Sequence, residues 1–328
     1  MSPAAPWNII GTDEILAPLE PLAWLVEGLR IGPGAPTLCA GYGYSGKSIA
    51  TAALALSVAS GLELWERFVT RRGEVLHLDY EQGARLTCHR YQRMCAQYGL
   101  RAQDFGGRLK VGVLPSVPIT TVDDLLFLGD DRALVVVDSW RAAHSGIDEN
   151  SSDVRTTLDR ATLASERTGC TFLFLHHSRK PREDSAGGSR MSIRGSSGFY
   201  DGCQTVYVFD GSVAGHPTFQ IEKDRLSGAE PKPWRLDITD TLNGAGLRIR
   251  AEEVETESPP DGGGEMDPVE LIRQRLSMEG EVPSATVLAK ELHCRKSTVL
   301  AALQTLDGSG EVETVRDGKF VKYRSTRQ

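Results

Sequence analysis

Gly41-Tyr42-Gly43-Tyr44-Ser45-Gly46-Lys47-Ser48 has the residue types and the spacing G-x-x-x-x-G-K-S that hold phosphate. Gly41, Gly43 and Gly46 let the backbone bend so that successive N–H groups, Ser45 among them, turn inward toward phosphate oxygens. Lys47 would reach the β- and γ-phosphates, and the Ser48 hydroxyl would be a ligand of Mg²⁺. The octet follows the apolar run 36–40 and precedes a helix-like segment, 49–60, which is the strand-then-helix setting this chemistry requires. A Gly-rich turn with no ligand is the bland alternative. The expected ligands are ATP and Mg²⁺.

Phosphoryl transfer also needs a second carboxylate on the magnesium side and a group that orients the attacking water. Asp138 ends the most apolar run of the chain, Leu134-Val135-Val136-Val137, where a strand would present it at the carboxyl edge of a sheet. Ser139 follows it, in the place where many P-loop ATPases carry a catalytic Glu. Another strand must therefore supply the base, and Glu81 in Leu76-His77-Leu78-Asp79-Tyr80-Glu81-Gln82-Gly83 is the candidate, with Asp79 its competitor. His176-His177 ends a later run, Phe172-Leu173-Phe174-Leu175. Adjacent strand residues point to opposite faces and no further ligand lies at metal spacing, so one of the pair is expected to sense the γ-phosphate rather than bind zinc.

Cations complete the inventory. Arg179, Lys180, Arg182 and Arg190 lie in a Gly- and Ser-containing loop that could follow a nucleic-acid backbone or could simply be a solvated surface. Arg194, Lys223 and Arg225 stand near strand ends, where a cation can stabilise transition-state charge.

The elements that must position these groups follow from periodicity. Short β-rich runs at 36–40, 74–79, 109–114, 133–137, 171–175, 205–209 and 217–223 alternate with helical patterns at 47–60, 83–98 and 152–168. That alternation predicts an α/β core with a mostly parallel sheet covered on both faces. Residues 1–13 read as an N-terminal arm and 14–251 as the core. The segment 252–266, with six acids, two prolines and three consecutive glycines, reads as a linker. Beyond it, helical patterns at 267–276, 284–291 and 296–306 precede an alternating stretch, 310–323, folded about Asp317-Gly318. Three helices and a hairpin predict a small winged-helix domain at 267–328, with Ser284 and Ser297 as caps and Leu288, Leu292, Val299, Leu303 and Leu306 as core.

Composition bounds the remaining classes. The 328 residues are 40% hydrophobic and 25% charged, enough for one large core and a small satellite. No apolar run approaches a membrane span and no signal-peptide pattern opens the chain, so no membrane contact and a cytoplasmic location are expected. Six scattered cysteines without C-x-x-C spacing read as reduced and structural. The net charge of −7 is unevenly placed: 267–328 carries ten Lys/Arg against nine Asp/Glu. Local basic surfaces remain compatible with an acidic core.

The ordered set Gly41–Ser48, Leu78-Asp79-Tyr80-Glu81, Val137-Asp138-Ser139, Phe174-Leu175-His176-His177-Ser178 and Arg194-Gly195-Ser196-Ser197 resembles the RecA-like ATPase superfamily, most closely the hexameric RepA-type replicative helicases, over residues 14–250. The resemblance implies that Lys47 and Ser48 hold phosphate and Mg²⁺, Glu81 is the general base, Asp138 holds the metal's water shell and His177 or His176 senses phosphate. It also implies an arginine finger at Arg194, given in trans, and a Lys-x-Arg pair at Lys223 and Arg225 on the boundary of a homo-oligomeric, hexameric ring around single-stranded DNA. RepA-type enzymes are nearly bare cores, so the linker and tail are a departure. A winged helix would meet duplex DNA through Arg295 and Lys296 on its third helix and Arg316, Lys319, Lys322 and Arg324 on its wing, or it would bind a protein partner. Two functions follow: an ATP-driven DNA helicase or translocase of plasmid, phage or mobile-element type, or an ATP-gated DNA-binding regulator or recruitment factor that separates no strands.

Overall fold

The computed structural model describes residues 9–18, 23–178, 195, 197–211, 213–225, 233–254, 268–282, 284–292, 296–317 and 320–326. The chain divides into two compact units, Met1–Thr256 and Glu257–Gln328.

The first unit is built on strands β1 (Thr37–Gly41), β2 (Val75–Asp79), β3 (Leu109–Val113), β4 (Leu134–Asp138), β5 (Thr171–His177), β6 (Thr205–Asp210), β7 (Thr218–Asp224), β8 (Trp234–Thr241) and β9 (Gly246–Glu253). They form one nine-stranded sheet in the order β3-β2-β4-β5-β1-β6-β7-β8-β9. The first six in that order pair in parallel, and β7, β8 and β9 continue antiparallel. The seven runs read from the sequence are all strands here, but the sheet is mixed and wider than expected. In β8 and β9, apolar residues such as Leu236, Leu247 and Ile249 alternate with charged ones such as Arg235, Asp237 and Arg250. One face of this extension meets water, so it lacks the continuous apolar signature of the buried strands.

The helices are α1 (Thr12–Ile15), α2 (Lys47–Ser60), α3 (Ala84–Tyr98), α4 (Ala102–Phe105), α5 (Val122–Gly129), α6 (Trp140–Ala143), α7 (Asp153–Thr168) and α8 (Gly198–Gly202). Strand alternation divides the core in two. Val136 and Leu173 join α2 and α3 on one face, with Leu56 and Met94; Val135, Val137, Phe172 and Phe174 join α5 and α7 on the other, with Leu125 and Leu158. Helix α5, absent from the sequence reading, opens with Thr121 accepting from the Asp124 N–H at 3.1 Å while Asp124 accepts from the Thr121 N–H at 2.8 Å. Among the described residues no helix is long and apolar enough to cross a membrane.

The second unit comprises α9 (Pro268–Glu279), β10 (Glu281–Val282), α10 (Ala285–Glu291), α11 (Lys296–Gly308), β11 (Val312–Asp317) and β12 (Phe320–Ser325). Its sheet runs β10-β12-β11, antiparallel throughout. Ile272, Leu276, Leu288, Val299, Leu303 and Leu306 form the core, with Leu292 half-buried against it. Strand β10 was not read from the sequence, and α11 begins at Lys296, which places Ser297 in its first turn rather than at its cap.

Two buried histidines of the first unit couple stability to pH. The His77 ring lies 2.7 Å, Nδ1 to hydroxyl, from Tyr91, and His144 stacks on Trp140 with centroids 4.6 Å apart while its Nδ1–H donates to the Trp140 carbonyl at 2.9 Å. Burial pushes both down to about 4. The unfolded chain, with histidines near 6.5, therefore binds more protons between pH 6.5 and 4, and stability falls as pH drops through that window. Each ring is expected to contribute on the order of 2–3 kcal/mol of that loss. Denaturant unfolding at pH 7 and pH 4.5 should show it, and His77→Gln/His144→Gln should flatten it; equal pH dependence in parent and variant would overturn the assignment.

Candidate active site

Four strand ends meet at one edge of the sheet. Gly41 is in register with His177, and Asp79 with Asp138, so the turns after β1, β2, β4 and β5 open side by side. Between them lies a cleft of about 540 Å³ whose lining includes Gly43, Ser45, Gly46, Lys47, Ser48, Glu81, Asp138, Ser139 and His177.

The shape of the phosphate loop depends on its glycines. Gly46 takes φ +79°, and a Cβ there would meet Pro217 at 2.9 Å; a Cβ on Gly41 would meet the Phe209 carbonyl at 2.7 Å. Only glycine fits either place. Lys47 is buried at 7% exposure and its Nζ donates to the Gly41 carbonyl at 2.7 Å, the Tyr42 carbonyl at 2.5 Å and Ser45 Oγ at 3.2 Å. Burial pulls its pKa down to about 8, against the opposing charge of Asp138. Lys47 is thus held by three oxygens of its own loop.

Asp79 and Glu81, left as competitors by the sequence, separate here. Asp79 is wholly buried, with Oδ1 accepting the N–H groups of Glu81 at 3.1 Å and Gln82 at 2.8 Å and Oδ2 accepting the Thr87 hydroxyl at 2.7 Å. Both oxygens are occupied in shaping the turn that carries Glu81. Glu81 reaches the cleft, where Ser139 Oγ donates to its Oε1 and His177 Nε2 lies 3.4 Å from the same oxygen. His177 foremost, then Ser139 and the Lys47 charge, holds its carboxyl below the usual range against the effect of burial.

Asp138 is 4% exposed and its carboxyl is pushed up to about 6, first by burial and further by the charges of Asp79 and Glu81, while the Ser48 hydroxyl bonds to it and lowers it. Ser48 thus lies beside Asp138, an oxygen pair that suits a hard divalent cation completed by phosphate and water. Among the described residues no group of three or more His, Cys, Asp or Glu could hold a metal by itself.

The histidine pair divides by face. His177 turns to Glu81, whereas the wholly buried His176 stacks on Phe199 of α8 with centroids 3.9 Å apart, and both residues border the cleft. Lys223 Nζ donates to the Tyr200 carbonyl and lies 3.4 Å from that of Asp201, with the Tyr200 ring 5.0 Å away; Arg225 donates to the same Asp201 carbonyl. Arg155, unmarked in the sequence, joins them at 3.1 Å. Burial, then the Arg225 charge, pulls Lys223 down to about 8. The pair closes the carboxyl end of α8 rather than projecting from it.

Arg179, Lys180, Arg182, Arg190, Arg194, Arg295 and Lys319 lie outside the described residues, as do the side chains of Lys296 and Arg316. Lys322 pairs with Glu281 at 2.9 Å, and Arg324 pairs with Glu281 at 3.4 Å and Glu313 at 3.9 Å.

Arg90 is the residue the sequence reading missed. It lines the cleft, its Nη2 donates to Gln82 Oε1 at 2.7 Å, and its Nη1 is buried without a partner among the described residues. Its only sequence signal is its place one turn beyond Thr87 on α3, the helix that follows the Glu81 turn.

Residues 6–183, more than half of the chain, match the family model described as AAA domain. A crystal structure of the RadB recombinase aligns with 66% of this chain and 91% of its own, at 19% sequence identity and a TM-score of 0.44. With a phosphate loop joining β1 to α2 and the acidic residues of β2 and β4 beside it, the chain belongs to the AAA domain family of P-loop ATPases, on an α/β core.

Proposed function

We propose that the first unit binds ATP with Mg²⁺ and hydrolyses it, and that the nucleotide state gates the protein's hold on nucleic acid, with hydrolysis resetting the switch. The observation that carries the reading is the meeting of Lys47, Glu81, Asp138 and His177 in one cleft. Triphosphate oxygens replace the loop carbonyls around Lys47 and accept from the N–H groups at the start of α2. Ser48 and Asp138 hold Mg²⁺, which when bound offsets charge on the β- and γ-phosphates. Glu81 accepts a proton from a water that attacks the γ-phosphorus. The bond from that phosphorus to the β–γ bridging oxygen breaks, its electron pair leaves with ADP, and phosphate is the second product.

Gating is supported by β5. Its last two residues face the cleft through His177 and α8 through His176. Residues 179–194, which hold the loop cations and Arg194, join these two elements in sequence, so a shift of β5 on binding a γ-phosphate would be passed to the start of that segment. Lys223 and Arg225 bond the Tyr200 and Asp201 carbonyls, contacts they would have to exchange for phosphate to serve a neighbour's ATP in trans.

The helix and strand order of the second unit supports a winged helix. Its wing cations Lys322 and Arg324 are paired with acids, and exposed pairs of this kind contribute little. Phosphate can compete for them, so weak duplex binding is the expected activity.

Lys47→Ala is expected to abolish turnover and weaken ATP binding, and Glu81→Gln to keep affinity while lowering turnover by roughly 10²-fold or more. Asp79→Asn as the only inactive carboxylate variant would reverse the assignment of base and scaffold. Single-strand affinity should differ by about tenfold or more between ATP and ADP, a coupling within the usual range, with no strand displacement. Equal affinity in both states would refute gating, and displacement by a hexamer, measured with light scattering alongside, would restore the motor. Neutralising Arg316, Lys319 and Lys322 together should weaken duplex binding and reduce its salt slope by roughly one unit per lost phosphate contact. Unchanged binding at every salt concentration would make the tail a protein-docking unit.

A further inference from the structure

Ser139 stands directly after Asp138, is 2% exposed, and donates its hydroxyl proton to Glu81 Oε1. His177 Nε2 approaches the same oxygen at 3.4 Å. No hydrogen bond joins Glu81 Oε2 to any described residue. The two holders differ in freedom: Ser139 is walled in at the end of β4, while the His177 side chain is 37% exposed and borders the cleft. Asp79 fixes only the backbone of the Glu81 turn, through the N–H groups of Glu81 and Gln82. The three side-chain torsions of Glu81 remain to be set, and its side chain is 39% exposed.

We infer that Ser139 is a positioning residue for the hydrolytic base: it holds Glu81 by Oε1, leaves Oε2 to accept the proton of the attacking water, and keeps that orientation when His177 turns to the γ-phosphate. The inference rests on Glu81 as the base. A hydroxyl bond to a carboxylate is charge-assisted and about twice as strong as a neutral one, so a single such bond can select one rotamer of a half-exposed Glu. Catalysis by a base depends steeply on that selection, because a misplacement of about 1 Å can cost 10²-fold. His177 cannot hold Glu81 and read phosphate with the same nitrogen at once. A second, immobile donor resolves the conflict. The arrangement also accounts for a serine where other P-loop ATPases place a Glu: with the carboxylate arriving from β2, the residue after Asp138 is needed as its donor.

Steady-state and single-turnover ATP hydrolysis by the full chain tests this in a cycle of variants. Ser139→Ala should lower kcat by about tenfold or more, the size expected for losing one charge-assisted hydrogen bond, with nucleotide affinity changed less than about twofold and an unchanged melting temperature. Ser139→Thr, which keeps the hydroxyl, should recover most of the rate. In a Glu81→Gln background, Ser139→Ala should change the residual rate less than about twofold, since a residue acting through Glu81 has nothing left to act on. If Ser139→Ala does not fold, Ser139→Cys, which offers only a weak donor, must show the same loss. Parental kcat in Ser139→Ala, or an equal fractional loss with and without Glu81, overturns the positioning role. Parental turnover in Glu81→Gln alone overturns the base assignment instead, whatever Ser139 does.

Discussion

The parallel pairing of β1 with β5 and of β2 with β4 sets everything at the cleft, since it is the register that brings Gly41 beside His177 and Asp79 beside Asp138. No two of the residues Lys47, Glu81, Asp138 and His177 come from the same strand–turn segment. Only the ladder aligns them. A slip of one residue in β5 would turn His176 to Glu81 and His177 into the aromatic layer of Trp140 and Phe199, because side chains alternate faces with period two. Register is in turn specified by burial: Val135, Val136 and Val137 are all fully buried and alternate between two cores. The accuracy of the polar site is therefore a property of the apolar sheet beneath it.

Much of this was legible in the sequence, and the limits have physical causes. The phosphate loop and the buried strands announce themselves because glycine at sharp turns and unbroken β-branched runs have few other uses. Asp138 is legible because it ends such a run. The choice between Asp79 and Glu81 was not, because it depends on which carboxylate the turn's own N–H groups engage. Nor was it legible which of His176 and His177 packs on Phe199 and which meets Glu81, since that needs the identity of the neighbours on each face. Strands β8 and β9 hid behind their charged outer faces, and Arg90 behind an ordinary helical pattern.

Cations show the widest gap between pattern and structure. Lys223 and Arg225 look like a pair awaiting a phosphate, yet with Arg155 they answer the carbonyls that α8 leaves unpaired at its end. In the second unit, Lys322 and Arg324 share Glu281. A basic residue near a strand end is thus shared between electrostatic demands from its own chain and from a ligand, and sequence spacing alone does not reveal which is met first.

The internal contacts of Lys47 bear on kinetics as well as on affinity. Its three oxygen partners within the loop mean that, on the proposed reading, a nucleotide phosphate would take over hydrogen bonds the ammonium already makes. Binding becomes an exchange of oxygens around one nitrogen. On that reading, nucleotide turnover at the loop would be a matter of substitution rather than of opening and collapse.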